Sequence, residues 1–353
     1  MPHRSKGRLL TCLVITLGAL GAHACGGGSP AAPTPQASSG TPPPSVLGLT
    51  LNAIDGQPIA GVTVRIGSRS AVSGDDGTFQ MQQVESGPQT AILSGASIVE
   101  RWTTVTAPPG ETLREALIPA AFDLTAFDQM FRGANDRLQR WTTAPSLVVI
   151  TTVMNYTTGF GSQDEYHATS EQLTETETTI LIEQLTEALA MLTGNTFTAF
   201  ASVERESASS GAKVNTLRPG KIVVGRYNGI QGLLNTIGFG RWATDGSGEV
   251  VGGAIYLDRD FDKSKDARRL LRTHELGHAL GYNHVTARTS IMNPAIGPEA
   301  TIFDRQGAII AFQRRPGNQS PDTDPGSRPS GGVFGITPAP STVVWSPPVI
   351  CGQ

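Results

Sequence analysis

Cysteine is scarce in this chain, with three in 353 residues: Cys12, Cys25 and Cys351. Three such scattered residues make no disulfide framework, so the fold must rest on apolar cores. Long hydrophobic runs are missing as well. The apolar stretch Leu9–Leu20 is too short to span a bilayer, and Arg4, Lys6 and Arg8 before it give it the form of a signal-peptide core. A basic surplus is also lacking: 27 Lys+Arg stand against 30 Asp+Glu, and cleavage after residue 24 would leave 24 basic residues and a net charge of −6. That balance argues against nucleic acid as a partner. Histidine is also scarce, at six, and this scarcity makes its distribution informative.

What is present is enough apolar material, 38% of residues, for two ordinary domains with tails. The 41 glycines and 24 prolines gather at the two ends and in turn-like clusters, marking linkers and hairpins. Residues 1–24 read as a signal peptide and 25–45 as a flexible tether rich in Gly, Pro, Ser and Ala. The junction Ala22-His23-Ala24-Cys25 has two readings. It is an A-x-A cleavage site for free secretion, or it resembles a bacterial lipoprotein junction, with Cys25 carrying the lipid. Either way the chain is expected to be exported, meeting a membrane only through that N-terminal lipid. If Cys25 is not lipidated, a bridge to Cys351 is conceivable.

From Val46 to Ile118 short apolar strands alternate with turn chemistry. Asp55-Gly56 precedes a strand in which Val62, Val64 and Ile66 share a face, and Gly74-Asp75-Asp76-Gly77 precedes Phe79. This period-two pattern predicts a small β-sandwich over 46–118. Its order of signals, D-G-x-P-I-x-G-V-x-V and then S-G-x-D-G-x-F, is similar to the carboxypeptidase regulatory-like domain, a transthyretin-like sandwich. The resemblance implies a stalk or docking module without catalytic residues.

Residues 119–315 predict a second, α+β domain of mixed sheet. The expected elements are a helix over Leu124–Arg132, a buried strand over Ser146–Val153, a long helix within Glu171–Leu192 stopped by Gly194, and strands over Phe197–Val203, Lys221–Gly225 and Gly252–Leu257. Asp262-Lys263-Ser264 is expected to cap the helix that follows. The Pro/Gly/Ser-rich stretch 316–353 reads as a mobile tail in which Trp345 could dock.

Three of the six histidines fall in His274-Glu275-Leu276-Gly277-His278-Ala279-Leu280-Gly281-Tyr282-Asn283-His284. Histidines four apart on a helix share a face and can reach one ion at ~2.0–2.1 Å. A third ligand on the next turn would rotate off that face. Gly281, free to take positive φ, ends the helix and lets His284 approach from another direction. Three neutral imidazoles leave one position of a tetrahedral zinc open for water, whose pKa falls to about 7. Glu275, beside the first ligand, is placed to act as general base, contributing about 10²–10⁴ in rate.

This pattern, H-E-x-x-H-x-x-G-x-x-H followed by Ser290-Ile291-Met292-Asn293-Pro294, resembles the metzincin metallopeptidases and, within them, the matrixins. The resemblance implies zinc held by His274, His278 and His284, Glu275 as base, Met292 as a structural floor in a Met-turn, and protein or peptide substrates. It also implies that Gly252–Leu257 is the edge strand along which substrate lies. No cysteine-switch propeptide is visible. Competing assignments are Glu299 as a third ligand, Asp258, Asp260 and Asp262 as a calcium site or turn acids, His167 as a surface residue, and Tyr166 or Tyr282 as oxyanion donors or packing. Two other functions stay open: a surface adhesion or binding lipoprotein with an inactive domain, and a zinc amidase acting on cell wall.

Overall fold

Alternating burial along the first seven strands produces two sheets packed face to face. The strands are β1 (Ser45–Asn52), β2 (Thr63–Ile66), β3 (Arg69–Val72), β4 (Thr78–Gln82), β5 (Gly87–Ser94), β6 (Arg101–Ala107) and β7 (Leu113–Leu117). One sheet runs β4-β1-β7 and the other β3-β2-β5-β6. Val62, Val64, Ile66, Phe79, Met81, Leu93 and Leu117 turn inward to form a core drawn wholly from this region. The structure, a computed structural model, describes residues 45–157, 166–328 and 343–351. The expectations for the signal peptide, for nearly all of the tether, for Cys25 and for part of the tail lie outside them.

The remainder is also rich in strand, with few helices. Its strands are β8 (Ser146–Ile150), β9 (Thr152–Tyr156), β10 (Tyr166–Gln172), β11 (Val203–Glu206), β12 (Lys221–Asn228), β13 (Gly238–Thr244), β14 (Val250–Asp258), β15 (Val344–Trp345) and β16 (Val349–Ile350), joined in one nine-stranded mixed sheet. The helices are α1 (Leu124–Phe127), α2 (Glu175–Leu192), α3 (Ile230–Leu234), α4 (Arg259–Ser264), α5 (Arg268–Ala279) and α6 (Ile302–Phe312). None of them is long and apolar enough to cross a membrane.

Both faces of this sheet are apolar, which is why its strands read as continuous hydrophobic runs. Leu147, Val149, Ile222, Val224, Ile255 and Leu257 face the core that takes in residues of α2, α5 and α6. Val148, Ile150, Val223, Ala254 and Tyr256 face a second cluster that includes Tyr156, Tyr166 and Tyr227. The long helix starts where Thr174 and Glu177 form a reciprocal capping box.

Several expectations are corrected. The strand 250–258 is not an edge: β14 pairs in parallel with β12 and antiparallel with β13. The run 146–153 breaks at Thr151, whose N–H donates to Glu206. Residues 197–202 carry no strand; β11 begins at Val203. Leu124–Arg132 starts as an α-helix and widens to a π-helix over Asp128–Arg132. Nor do Asp262 and its neighbours cap α5. Asp258 caps α4, while Asp262 is fully buried and accepts from Arg226 and, through both oxygens, from Arg272 on α5.

The chain beyond 315 has the composition of a mobile end, yet its described parts are packed. Trp102 exchanges backbone hydrogen bonds with Asp322 and Asp324. Arg101 on β6 binds Glu115, Asp322 and Asp324 at 3.0, 3.0 and 2.9 Å, and Arg314 binds Asp322 at 2.7 Å. Charges buried in this way hold only when paired, so sequence polarity here signals a staple and not a solvated tail. The staple ties the sandwich to the segment after α6.

Candidate metal centre

The helix α5 carries His274 and His278 on one face and ends as the 274–284 spacing predicts. Gly281 sits at φ +105°; its N–H donates to His278 O, and Tyr282 N–H donates to Gly277 O. These paired bonds are a Schellman ending, which turns the chain back and brings His284 to the other two rings. The three Nε2 atoms lie 3.0, 3.2 and 3.2 Å apart, against about 3.3 Å for donors at 2.0–2.1 Å from a tetrahedral zinc. Nδ1 of His274 is 2.6 Å from Ile291 O and Nδ1 of His278 is 2.7 Å from Tyr282 O. A carbonyl only accepts, so the ring proton sits on Nδ1 and Nε2 keeps its lone pair for a metal. Burial holds His274 down to about 3 and shifts His278 and His284 the same way, keeping the rings neutral as ligands must be.

Glu275 is fully buried, and neither carboxylate oxygen has a hydrogen-bond partner among the described residues. Burial pushes its pKa well above the ordinary carboxylate range. An unpartnered buried carboxylate is costly, and a cation at the adjacent histidines would offset that cost.

Met292 is buried with its sulfur against Gly277, where an added Cβ would come within 2.5 Å of it. Its turn is held by Asp304 on α6, which accepts from Ser290 Oγ and, at 3.2 Å, from Ile291 N–H. Ile291 O is the partner of His274, so Asp304 orients that candidate ligand through a single residue. Val285 N–H donates to Met292 O at 2.8 Å and Asn293 Nδ2 to Val285 O at 2.7 Å, which secures the segment carrying His284. Sequence reasoning missed Asp304. Its signal was the capping box Thr301-x-x-Asp304 ahead of an apolar helix.

The histidine face of α5 lies against β13, and glycine permits the approach. A Cβ on Gly240 would sit 2.4 Å from His278 Cβ and 2.8 Å from Glu275 O, and one on Gly238 would be 3.0 Å from Glu275 Oε1. The outer edge of β13 is covered by the chain's own C-terminal segment, paired antiparallel as β15 and β16. At its end the buried thiol of Cys351 lies 3.7 Å from Nε2 of both His278 and His284. His274, His278, His284 and Cys351 thus form a cluster able to hold a metal ion, all four donor atoms lying within 4.8 Å of one another.

The competing candidates fall elsewhere. Glu299 pairs with Arg269 at the surface. Tyr282 is buried and donates to Leu192 O, and Tyr166 packs among aromatic rings. His167 is half-buried in β10. No family model matches the chain, and neither does any curated protein. Among solved structures it is similar to the Bacillus anthracis TIE protein, with 7% identity and a TM-score of 0.19. That match covers 62% of this chain and 42% of the other, so the chain spans less than half of that protein's length, and a likeness this low carries no argument.

Proposed function

We propose that this chain is an exported zinc endopeptidase of metzincin type, whose residues 119–315 form the catalytic α+β domain behind an N-terminal docking sandwich. One observation carries the reading: three neutral imidazoles, two on α5 and one just beyond it, converge at metal-ligand spacing beside Glu275, a buried carboxylate with no other task. When bound, the zinc would polarise a substrate carbonyl as a Lewis acid and lower the pKa of a coordinated water to about 7.

The protein's own groups do the rest. His274, His278 and His284 hold the ion, with Nδ1 of the first two fixed by backbone carbonyls. Glu275 accepts the proton of the attacking water and passes it to the departing amide nitrogen. The edge of β13, in place of the interior β14, would offer main-chain hydrogen bonds to an extended peptide once β15 and β16 leave it. Export, by secretion or by a lipid on Cys25, and a protein or peptide substrate belong to the same reading.

The test is hydrolysis of a peptide library by purified protein, with and without chelator, beside Glu275→Ala. The variant should keep its metal and lose turnover; unchanged hydrolysis would remove the role given to Glu275. The fourth donor, Cys351, favours a second reading, since a closed His3Cys set is also how a structural zinc is held. In that case the chain is a surface-binding protein, and the library stays uncut under every condition. Peptidoglycan in the same assay separates the cell-wall amidase.

A further inference from the structure

Cys351 and the strand that delivers it have no part in the chemistry above, yet they occupy the two places a substrate would need. The thiol sulfur lies 3.7 Å from two of the three Nε2 atoms, against about 3.6 Å for sulfur at 2.3 Å and nitrogen at 2.0–2.1 Å on a tetrahedral ion. The sulfur ends among three imidazoles, next to the fully buried carboxylate of Glu275.

The approach is built and not incidental. Phe239 and Gly240 of β13 pair with Ile350 and Val349, and Ala243 and Thr244 pair with Trp345 and Val344. Ser346 N–H donates to Trp242 O at 2.7 Å, Ser346 Oγ accepts from Trp242 N–H at 3.1 Å, and Arg241 Nε donates to Ser346 O at 3.0 Å. Thr236 Oγ1 donates to Cys351 O, fixing the backbone at the cysteine. A Cβ on Gly252 would lie 3.0 Å from the Trp345 ring, so that glycine makes room for the indole.

We propose that Cys351 is the fourth ligand of the ion held by His274, His278 and His284, and that residues 343–351 are a strap closing the chain's own cleft. The inference deepens the peptidase reading and rests on it only for what is excluded: an extended peptide along β13 and the group attacked at the ion. On ligation the S–H bond breaks and a sulfur–metal bond forms. The thiol proton leaves to solvent on ligation and is taken back from solvent on opening.

The strap is made to be released. Pro347 and Pro348 lack N–H groups and split the pairing into two strands of two residues each, so no continuous ladder forms. Val344 and Ile350 remain 60% and 43% exposed, so little apolar burial holds the strap in place. The sulfur is its anchor.

The test uses the full chain loaded with cobalt(II), which reports thiolate ligation through a sulfur-to-metal charge-transfer band in the near ultraviolet. The expected result is a band in the wild type that is absent from Cys351→Ala, with cobalt stoichiometry retained by the histidines. Acetohydroxamate, a small metal chelator, should bind the cobalt of Cys351→Ala at least about tenfold more tightly than that of the wild type, because the closed state reduces the competent fraction. In unmodified protein, Cys351 should resist iodoacetamide until chelator is added, a check that needs no variant. A wild type holding full cobalt without the band overturns the ligand assignment; equal acetohydroxamate affinities overturn the strap. Neither readout uses peptide hydrolysis, so a protein that cuts nothing but shows both results refutes the peptidase reading alone.

Discussion

Two clusters of polar side chains are buried to a similar depth in this molecule and differ in how they are satisfied. In the staple, Arg101, Glu115, Arg314, Asn318, Asp322 and Asp324 pair with one another. Asp322 Oδ2 and Arg314 Nη1 lack partners there, but each group is bonded through another atom. At the histidine centre Glu275 has no bond through either oxygen. Burial alone would raise the Asp322 carboxyl, yet Arg314 and Arg101 hold it below its ordinary value, whereas Glu275 is raised by burial. The contrast separates a cluster that secures the fold from one whose buried carboxylate is left unpaired, as the proposed chemistry would require.

Substitutions should bring that contrast into view. Glu275→Ala should cut turnover by about 10²–10⁴ while the melting temperature stays level or rises, since an unpartnered buried carboxylate is removed. Side-by-side kinetics and calorimetry check this; a large loss of stability would mean that Glu275 belongs with the staple. Asp322→Ala should do the reverse, costing about 3–5 kcal/mol of folding free energy by stranding Arg101 and Arg314. Its metal content per folded chain should be unchanged, which denaturant titration and elemental analysis would show together. Asp304→Ala stands between the two, with an expected loss of about 10–100-fold in metal affinity through Ile291 and His274. Competition with a chromophoric chelator measures it.

Acid should act on the paired carboxylates. Burial tends to raise Glu177, but hydrogen bonds from Thr174 and the Arg226 guanidinium bring it from 4.5 down to about 2. Its folded pKa lies below its unfolded one, so its contribution is complete above 4.5 and disappears as pH falls towards 2. Denaturation midpoints followed through that window should decline, and Glu177→Gln should flatten the decline. The smallest effect expected is that of Thr174→Ala, about 1 kcal/mol for a lost helix cap, with metal binding untouched.

The sequence made legible what depends on local spacing. His274, His278, Gly281 and His284 meet because helix period and one glycine dictate it, and Val62, Val64 and Ile66 share a face because strand period does. Contacts between distant segments left no such mark. Asp262 looked like a helix cap because its role depends on Arg226 and Arg272, which only the folded chain brings beside it. The stretch 316–353 looked mobile because its prolines and glycines say nothing of Arg101 waiting 221 residues earlier for Asp322. No spacing rule marks Cys351 as a ligand, because it reaches the histidines only through the edge that β13 offers. The edge itself was assigned to 252–257, because a both-sides-buried strand and an edge strand differ in their neighbours more than in their own residues.

The central claim is that the three imidazoles hold a transition metal, and metal content per folded chain tests it most directly. One zinc per chain is predicted for the wild type and for Glu275→Ala, with loss of that zinc in His278→Ala. Well-folded wild-type protein that carries no stoichiometric transition metal, even after exposure to zinc, would contradict it.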